Sequence, residues 1–187
     1  MRKLYFSLSS KFLFLALWQN NRCLTKLTKE NARRHSENFL IHLQQVLEKH
    51  KFSLASLDKV YFTSFPGGQT GLRVSLAFLA TWQTLNSQLQ IYYLDTLLLQ
   101  AGDSKCLSLL TIDSQSRKYY VAAYQQKKVL LPTQIVTKEQ LEKLSNEFFD
   151  FSVLKDLDET DFFTNFQKLE SDFIRLREIK EIISLAN

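Results

Sequence analysis

Phe65-Pro66-Gly67-Gly68-Gln69-Thr70-Gly71-Leu72-Arg73 follows the β-branched and aromatic run Lys59-Val60-Tyr61-Phe62-Thr63 and opens into an apolar segment that ends near Leu85. Three of the chain's four glycines and one of its two prolines fall in this bend. Glycine tolerates positive φ and close backbone approach, and proline presets φ, so the stretch predicts a tight strand-to-helix turn. Thr70 is the candidate cap of the helix that follows. Such a turn exposes amide N–H groups at a helix start, which suits an anion or a partner's backbone. The stretch is neither GxGxxG nor GxxxxGK[ST], and no lysine follows it to reach a phosphate. An architectural turn and a recognition loop both fit it.

The predicted helix beyond the turn places Leu72, Leu76, Leu79 and Ala80 on one packed face. Val74, Ala77, Phe78, Trp82 and Leu85 extend apolar character around it, as in a helix buried on most sides or covered by another subunit. Gly71, Ser75, Ala77 and Ala80 are small enough for close backbone approach, and Arg73 is placed to cross such an interface. Upstream, Asn31 to Lys49 reads as an amphipathic helix with Phe39, Leu40, Leu43, Val46 and Leu47 as its packed stripe. Before it, Lys3–Leu8, Lys11–Trp18 and Arg22–Leu27 read as three successive strands.

Downstream, Leu89–Tyr93 reads as a strand and Asp95–Ala101 as a brief helix stopped by Gly102. Residues 1–102 are expected to form a first lobe and residues 103–187 a second. In the second, Cys106–Asp113, Lys118–Tyr124 and Val129–Leu131 read as strands, with Pro132 ending central-strand character. Lys138–Leu144 is a short helix behind a Thr137 cap. Thr160 to Leu185 carries Phe162, Phe163, Phe166, Leu169, Phe173, Leu176, Ile179 and Ile183 at helical spacing and predicts a long terminal helix.

Composition narrows the functional classes. At 187 residues, 45% apolar and 13% aromatic, the chain can bury a core and does not read as disordered. A net charge of +5 does not by itself identify a nucleic-acid binder. Lys26, Lys29, Arg33 and Arg34 form the densest basic region, suited to RNA, to an acidic partner or to a solvated helix start. Cys23 and Cys106 belong to no CxxC pair and imply neither a metal nor a disulfide framework, which fits a reduced cytosolic setting. Arg2-Lys3 before Phe12-to-Trp18 has the look of a signal, but Ser7, Ser9, Ser10 and Lys11 interrupt it and Trp18-Gln19-Asn20-Asn21-Arg22 offers no small-residue cleavage site. The apolar run is also too short to span a bilayer.

Catalytic constellations find little support. His35 and Glu37 are two apart and do not share a helical face, and His42 falls on a different phase, which argues against a metal centre of His35, Glu37, His42 and His50. A triad of Ser36, His35 and Asp113 can be written on paper, but geometry defines a triad and composition does not. The first hairpin offers Ser7, Ser9 and Ser10 where metal-assisted phosphate chemistry needs a carboxylate.

The glycine turn, preceded at this distance by His35-Ser36-Glu37, resembles the TsaB family, also called YeaZ, which carries Gly-Pro-Gly-Ser-Phe-Thr-Gly-Leu-Arg at this place. Asp113-Ser114-Gln115-Ser116-Arg117-Lys118-Tyr119-Tyr120-Val121-Ala122 is similar to the family's later Asp-Ala-Arg-containing strand entry, with Asp113 retained, the Ala-Arg absent and Lys118 where an acid is usual. Ser7-Leu8-Ser9 stands in place of the family's Asp-Thr-Ser.

The resemblance implies an α/β, actin-like, ribonuclease-H-like fold with two lobes, the second reduced. It implies a non-catalytic, cytoplasmic subunit without a cofactor of its own, acting beside TsaD in transfer of threonylcarbamoyl to the transfer-RNA adenosine next to the anticodon. TsaD would hold the threonylcarbamoyl adenylate and metal. A TsaE-like ATPase and transfer RNA would join through the complex; in isolation the same apolar helix could pair with itself in a homodimer. The implied interface residues are His35 and Glu37, orienting the first helix, with Phe39, Gly71, Arg73, Leu76, Phe78 and Ala80. An actin-like phosphotransferase, a metal-dependent peptidase and a homodimeric interaction protein remain the alternatives.

Overall fold

The computed structural model describes residues 1–30, 35–113, 115, 117–158, 161–178 and 180. Side chains are described for these apart from His35, Ser36 and Asp113. The chain divides into unit 1, Met1–Leu94 with Ser171–Asn187, and unit 2, Asp95–Glu170.

Unit 1 is built on a mixed six-stranded sheet. Strands β1 (Arg2–Ser7), β2 (Phe12–Gln19) and β3 (Arg22–Glu30) run as an antiparallel meander. Strand β4 (Lys59–Thr63) lies parallel to β1, and β5 (Gln90–Leu94) parallel to β4. Helix α1 (His35–Lys49) connects β3 to β4, and α2 (Gln69–Leu85) connects β4 to β5. Strand alternation sends Leu4, Phe6, Val60, Phe62 and Ile91 to the face on which Phe39, Leu43, Val46, Leu76, Leu79 and Trp82 of the two helices pack. Each large side chain fully buried there contributes roughly 2–3 kcal/mol. On the opposite face, Tyr61 stacks between Tyr5 at 4.7 Å and Tyr92 at 4.9 Å, with Phe173 edge-on at 5.2 Å.

Unit 2 opens with α3 (Thr96–Ala101), capped by the Asp95 carboxylate accepting from the Leu98 N–H at 3.0 Å. Its four-stranded sheet has β7 (Lys118–Gln125) between β8 (Lys128–Thr137) and β6 (Cys106–Asp113), with β9 (Ser152–Lys155) parallel to β6 at the other edge. Helix α4 (Lys138–Glu147) starts in a capping box of Thr137 and Gln140, and Leu141 and Leu144 pack against Leu107, Leu109, Val121, Ala123 and Val136. Gln100 is the polar centre of this unit. Its amide donates to Ser108 Oγ, the Leu109 carbonyl and the Leu154 carbonyl, and its oxygen accepts the Leu157 N–H at 2.5 Å.

Three expectations need correction. The helix predicted over Thr160–Leu185 is instead α5 (Phe162–Lys168), a 3-10 turn (Glu170–Asp172) and β10 (Ile174–Leu176). Strand β10 pairs antiparallel with β5, Ile174 opposite Tyr93 and Leu176 opposite Ile91, so edge pairing overrides the helical period. Glu159, Thr160, Ile179 and residues 181–187 lie outside the described residues. The strand expected over Val129–Leu131 runs on to Thr137, and it lacks central-strand character as Pro132 predicts. β8 runs through Pro132 as an edge strand, where a missing N–H leaves no ladder partner short, and the pairing shifts register between Val121 and Ala123. Finally, α2 begins earlier than the expected Thr70 cap, as the turn itself explains below. No helix among the described residues is long and apolar enough to cross a membrane.

Candidate functional site

The carboxyl ends of β1 and β4 meet the glycine turn, the position where open parallel sheets present ligand sites. Here the turn is closed onto the β1–β2 hairpin. The Gly68 N–H donates to the Ser9 carbonyl at 2.9 Å, and the first helical bond of α2 runs from Leu72 N–H to the Gly68 carbonyl at 3.0 Å. Gly68 is therefore the N-cap residue, without a side-chain cap bond, and Thr70 sits exposed in the first turn. Two glycines are required by clearance. A Cβ on Gly71 would lie 1.8 Å from the Leu8 carbonyl oxygen, and one on Gly67 would lie 2.6 Å from Ser9 Cβ.

Beside this contact, three buried hydroxyls form a ring. Ser7 Oγ lies 2.6 Å from Thr63 Oγ1 and 2.8 Å from Ser9 Oγ, and Ser9 Oγ lies 2.9 Å from Thr63 Oγ1. Three hydroxyls can satisfy one another, each donating once and accepting once. The actin-like fold implies a nucleotide and metal at these strand ends. The residues present do not fit that group: the ring is neutral, its hydroxyls are engaged with one another, and the Gly68 amide is taken by the hairpin. Among the described residues no cluster of three His, Cys, Asp or Glu could hold a metal ion. His42 and His50 are held apart in separate contacts, His42 Nδ1 with Gln45 at 3.2 Å and His50 Nε2 with the Thr25 hydroxyl.

The predicted interface residues divide by burial. Phe39 is fully buried, 5.0 Å from the Phe6 ring and 5.1 Å edge-on to Phe78, so it joins α1 to the sheet and to α2. Leu76 and Gly71 are also interior, and Phe78 is half-buried against Trp82 at 5.3 Å. Glu37, Arg73 and Ala80 are exposed, and Arg73 makes no ion pair among the described residues. The side chains of His35, Ser36 and Asp113 and all of Arg33 and Arg34 lie outside the described residues.

What the sequence reading missed is an exposed apolar pair on α1: Leu40 and Ile41 are each 53% exposed. The helical spacing places Leu40 in the packed stripe, but the structure builds that stripe from Phe39, Leu43, Val46 and Leu47. On α2, Ala77, Ala80, Thr81 and Leu85 are exposed, while Gly71, Ser75, Leu76, Leu79 and Trp82 face inward. Leu40 lies one residue, about 100°, from the inward-facing Phe39, and that rotation is the signal that separates them.

Two sheets in this strand order, with helices crossing between parallel strands of the first, define an α/β protein of the actin-like, ribonuclease-H-like class with a reduced second unit. The fold resembles YeaZ from Pseudomonas aeruginosa, with a TM-score of 0.59 and 18% identity over 72% of this chain and 66% of that one. A second solved protein, described as similar to the peptidase YeaZ from Pseudomonas aeruginosa, matches with a TM-score of 0.67 and 14% identity over 91% of this chain and 92% of that one.

The family model for TsaD, tRNA N6-adenosine threonylcarbamoyltransferase, matches residues 27–152, well over half the chain, and the chain belongs to this family. A curated relative, the uncharacterized MG208 homolog of Mycoplasma pneumoniae, is 31% identical over 100 residues, 52% of this chain and 51% of the relative. The chain thus spans about half the length of that relative.

Proposed function

We propose that the chain is a TsaB-type, non-catalytic subunit. It supports a TsaD-type transferase in moving threonylcarbamoyl to the transfer-RNA adenosine beside the anticodon. The observation that carries this reading is the contrast between a strand-end site closed by Ser7, Ser9 and Thr63 and a neighbouring helix that leaves Leu40 and Ile41 in solvent. Family membership supplies the reaction, since a fold alone does not. Large apolar side chains on an exposed helix, beside small residues on its neighbour, suit a helical partner.

In this reading α1 and α2 dock the transferase through Leu40, Ile41 and Ala80, with Glu37 and Arg73 at the polar rim. Phe39, Gly71, Leu76 and Phe78 act indirectly by fixing the two helices. The TsaE-like ATPase and transfer RNA are met in the assembled complex, in the cytoplasm.

The test is capture of the host's TsaD-type subunit by the wild-type chain and by Leu40→Asp/Ile41→Asp. Capture by the wild type and its loss in a variant that keeps its thermal midpoint support the docking face. Equal capture by both removes it. Self-association of the wild type in place of capture favours the homodimer.

A further inference from the structure

The charge of the chain is unevenly divided. Unit 1 carries 15 Lys and Arg against 7 Asp and Glu, and unit 2 carries 9 against 12, so the net +5 separates into +8 and −3. An excess concentrated in one unit is the electrostatic footprint of a polyanionic partner. Helices α1 and α2 do not hold it, since they balance Lys49 and Arg73 against Glu37 and Glu48. The sheet does: its strands contribute Arg2, Lys3, Arg22, Lys26, Lys29, Lys59 and Arg175 against Glu30.

The densest part is β3, an edge strand whose partner in the sheet is β2, and Arg22, Lys26 and Lys29 are exposed along it. Leu13, Leu15 and Leu17 of β2 point to the helices, so Phe12, Ala16 and Trp18 take the opposite face. The register sets Lys26 opposite Ala16, between the half-buried rings of Phe12 and Trp18, which the strand rise puts about 20 Å apart. At the Phe12 end the exposed Lys11 brings its ammonium 5.0 Å from the centre of that ring.

A single small anion cannot use this arrangement. Lys26 and Lys29 are three residues apart on an extended strand and leave opposite faces of it, while Arg22 and Lys29 are separated by about 20 Å. An extended polyanion can follow the row. Accessible rings beside the cations favour a nucleic acid over an acidic protein, because bases stack on aromatic side chains while phosphates meet Lys and Arg. Bases in unpaired segments are the ones free to stack in this way.

We propose that the β2–β3 edge binds a single-stranded segment of RNA, its phosphates along Arg22, Lys26 and Lys29 and its bases on Trp18 and Phe12. That this RNA is a loop of transfer RNA rests on the proposed function; the surface rests on charge and geometry.

The experiment measures binding of a labelled, unstructured RNA oligonucleotide to the full chain alone, between about 50 and 200 mM salt. Three phosphate contacts predict a slope of log K against log salt of about −2, each contributing about 0.7 on a single strand. Lys26→Gln/Lys29→Gln should reduce the slope to about −0.7 and weaken binding on the order of tenfold at low salt. Lys138→Gln/Lys143→Gln makes the same charge change at exposed positions of α4 and should bind as the wild type does. Tryptophan emission of the wild-type chain gives a readout free of any variant. Trp82 is buried, so a ligand that stacks on the edge acts through Trp18. RNA should quench this emission, and heparin, a polyanion without bases, should not. Absence of saturable RNA binding, an equal loss in the two double variants, or RNA and heparin acting alike on the emission overturns the proposal, the cations then serving to keep an edge strand from pairing. No TsaD-type subunit is present in this measurement, so its outcome and that of the subunit reading are separable.

Discussion

The two units hold together by different physics. Unit 1 joins its helices to its sheet through interlocking rings and aliphatic side chains, Phe39 against Phe6 and Phe78, with Gly71 seated on the Leu8 carbonyl. Unit 2 is smaller and places a buried amide at its centre, Gln100, which ties α3 to β6 and β9. It also leaves a carboxyl, Asp95, without a cation among the described residues. A larger apolar core tolerates a strand-end site reduced to three hydroxyls and an adjacent helix with exposed apolar residues. A small domain with little core depends on each buried hydrogen bond.

Four substitutions break this contrast at decreasing expense. Gly71→Ala should have the largest effect, on the order of 3 kcal/mol or more, because a methyl group cannot share space with the Leu8 carbonyl without moving backbone. Urea unfolding would measure it. Gln100→Leu keeps the volume but strands the Leu157 N–H and removes the amide's bonds to Ser108, Leu109 and Leu154, and should lower stability by about 2–4 kcal/mol, with hydrogen exchange quickening in unit 2 before unit 1. Ser7→Ala opens the hydroxyl ring and leaves Ser9 and Thr63 still paired, so a loss of about 1 kcal/mol is expected in the same unfolding assay. Ile41→Asp should change stability by less than about 0.5 kcal/mol, since the side chain is largely in solvent, while removing capture of the transferase.

Much of unit 1 was legible in the sequence because its signals are local and redundant. Pro66, Gly67, Gly68 and Gly71 concentrate turn chemistry after a β-branched run, and Phe39, Leu43, Val46 and Leu47 repeat at helical spacing. The run Lys59–Thr63 was expected as a strand and is β4. The C-terminal segment was not legible: Phe162, Phe166, Leu169, Phe173 and Leu176 satisfy a helical period, yet Ile174–Leu176 completes an open sheet edge that the period cannot reveal.

The candidate site was legible in outline only. Ser7 and Ser9 could be seen to replace a carboxylate, whereas their closure with Thr63 depends on β1 and β4 lying side by side, 56 residues apart at Ser7 and Thr63. Leu40 and Ile41 were hidden because an apolar run at 39–41 offers no polar residue to mark where the buried stripe ends. Burial raises the Asp95 carboxyl, and burial leaves no trace in the local sequence pattern.

The most direct test of the central claim is a threonylcarbamoyl-transfer assay with the host's TsaD-type subunit and transfer RNA, with and without this chain. The reading predicts that transfer requires the chain and that the activity co-elutes with a complex of the two proteins. Full transfer by the TsaD-type subunit alone, or transfer by this chain without it, would contradict that reading.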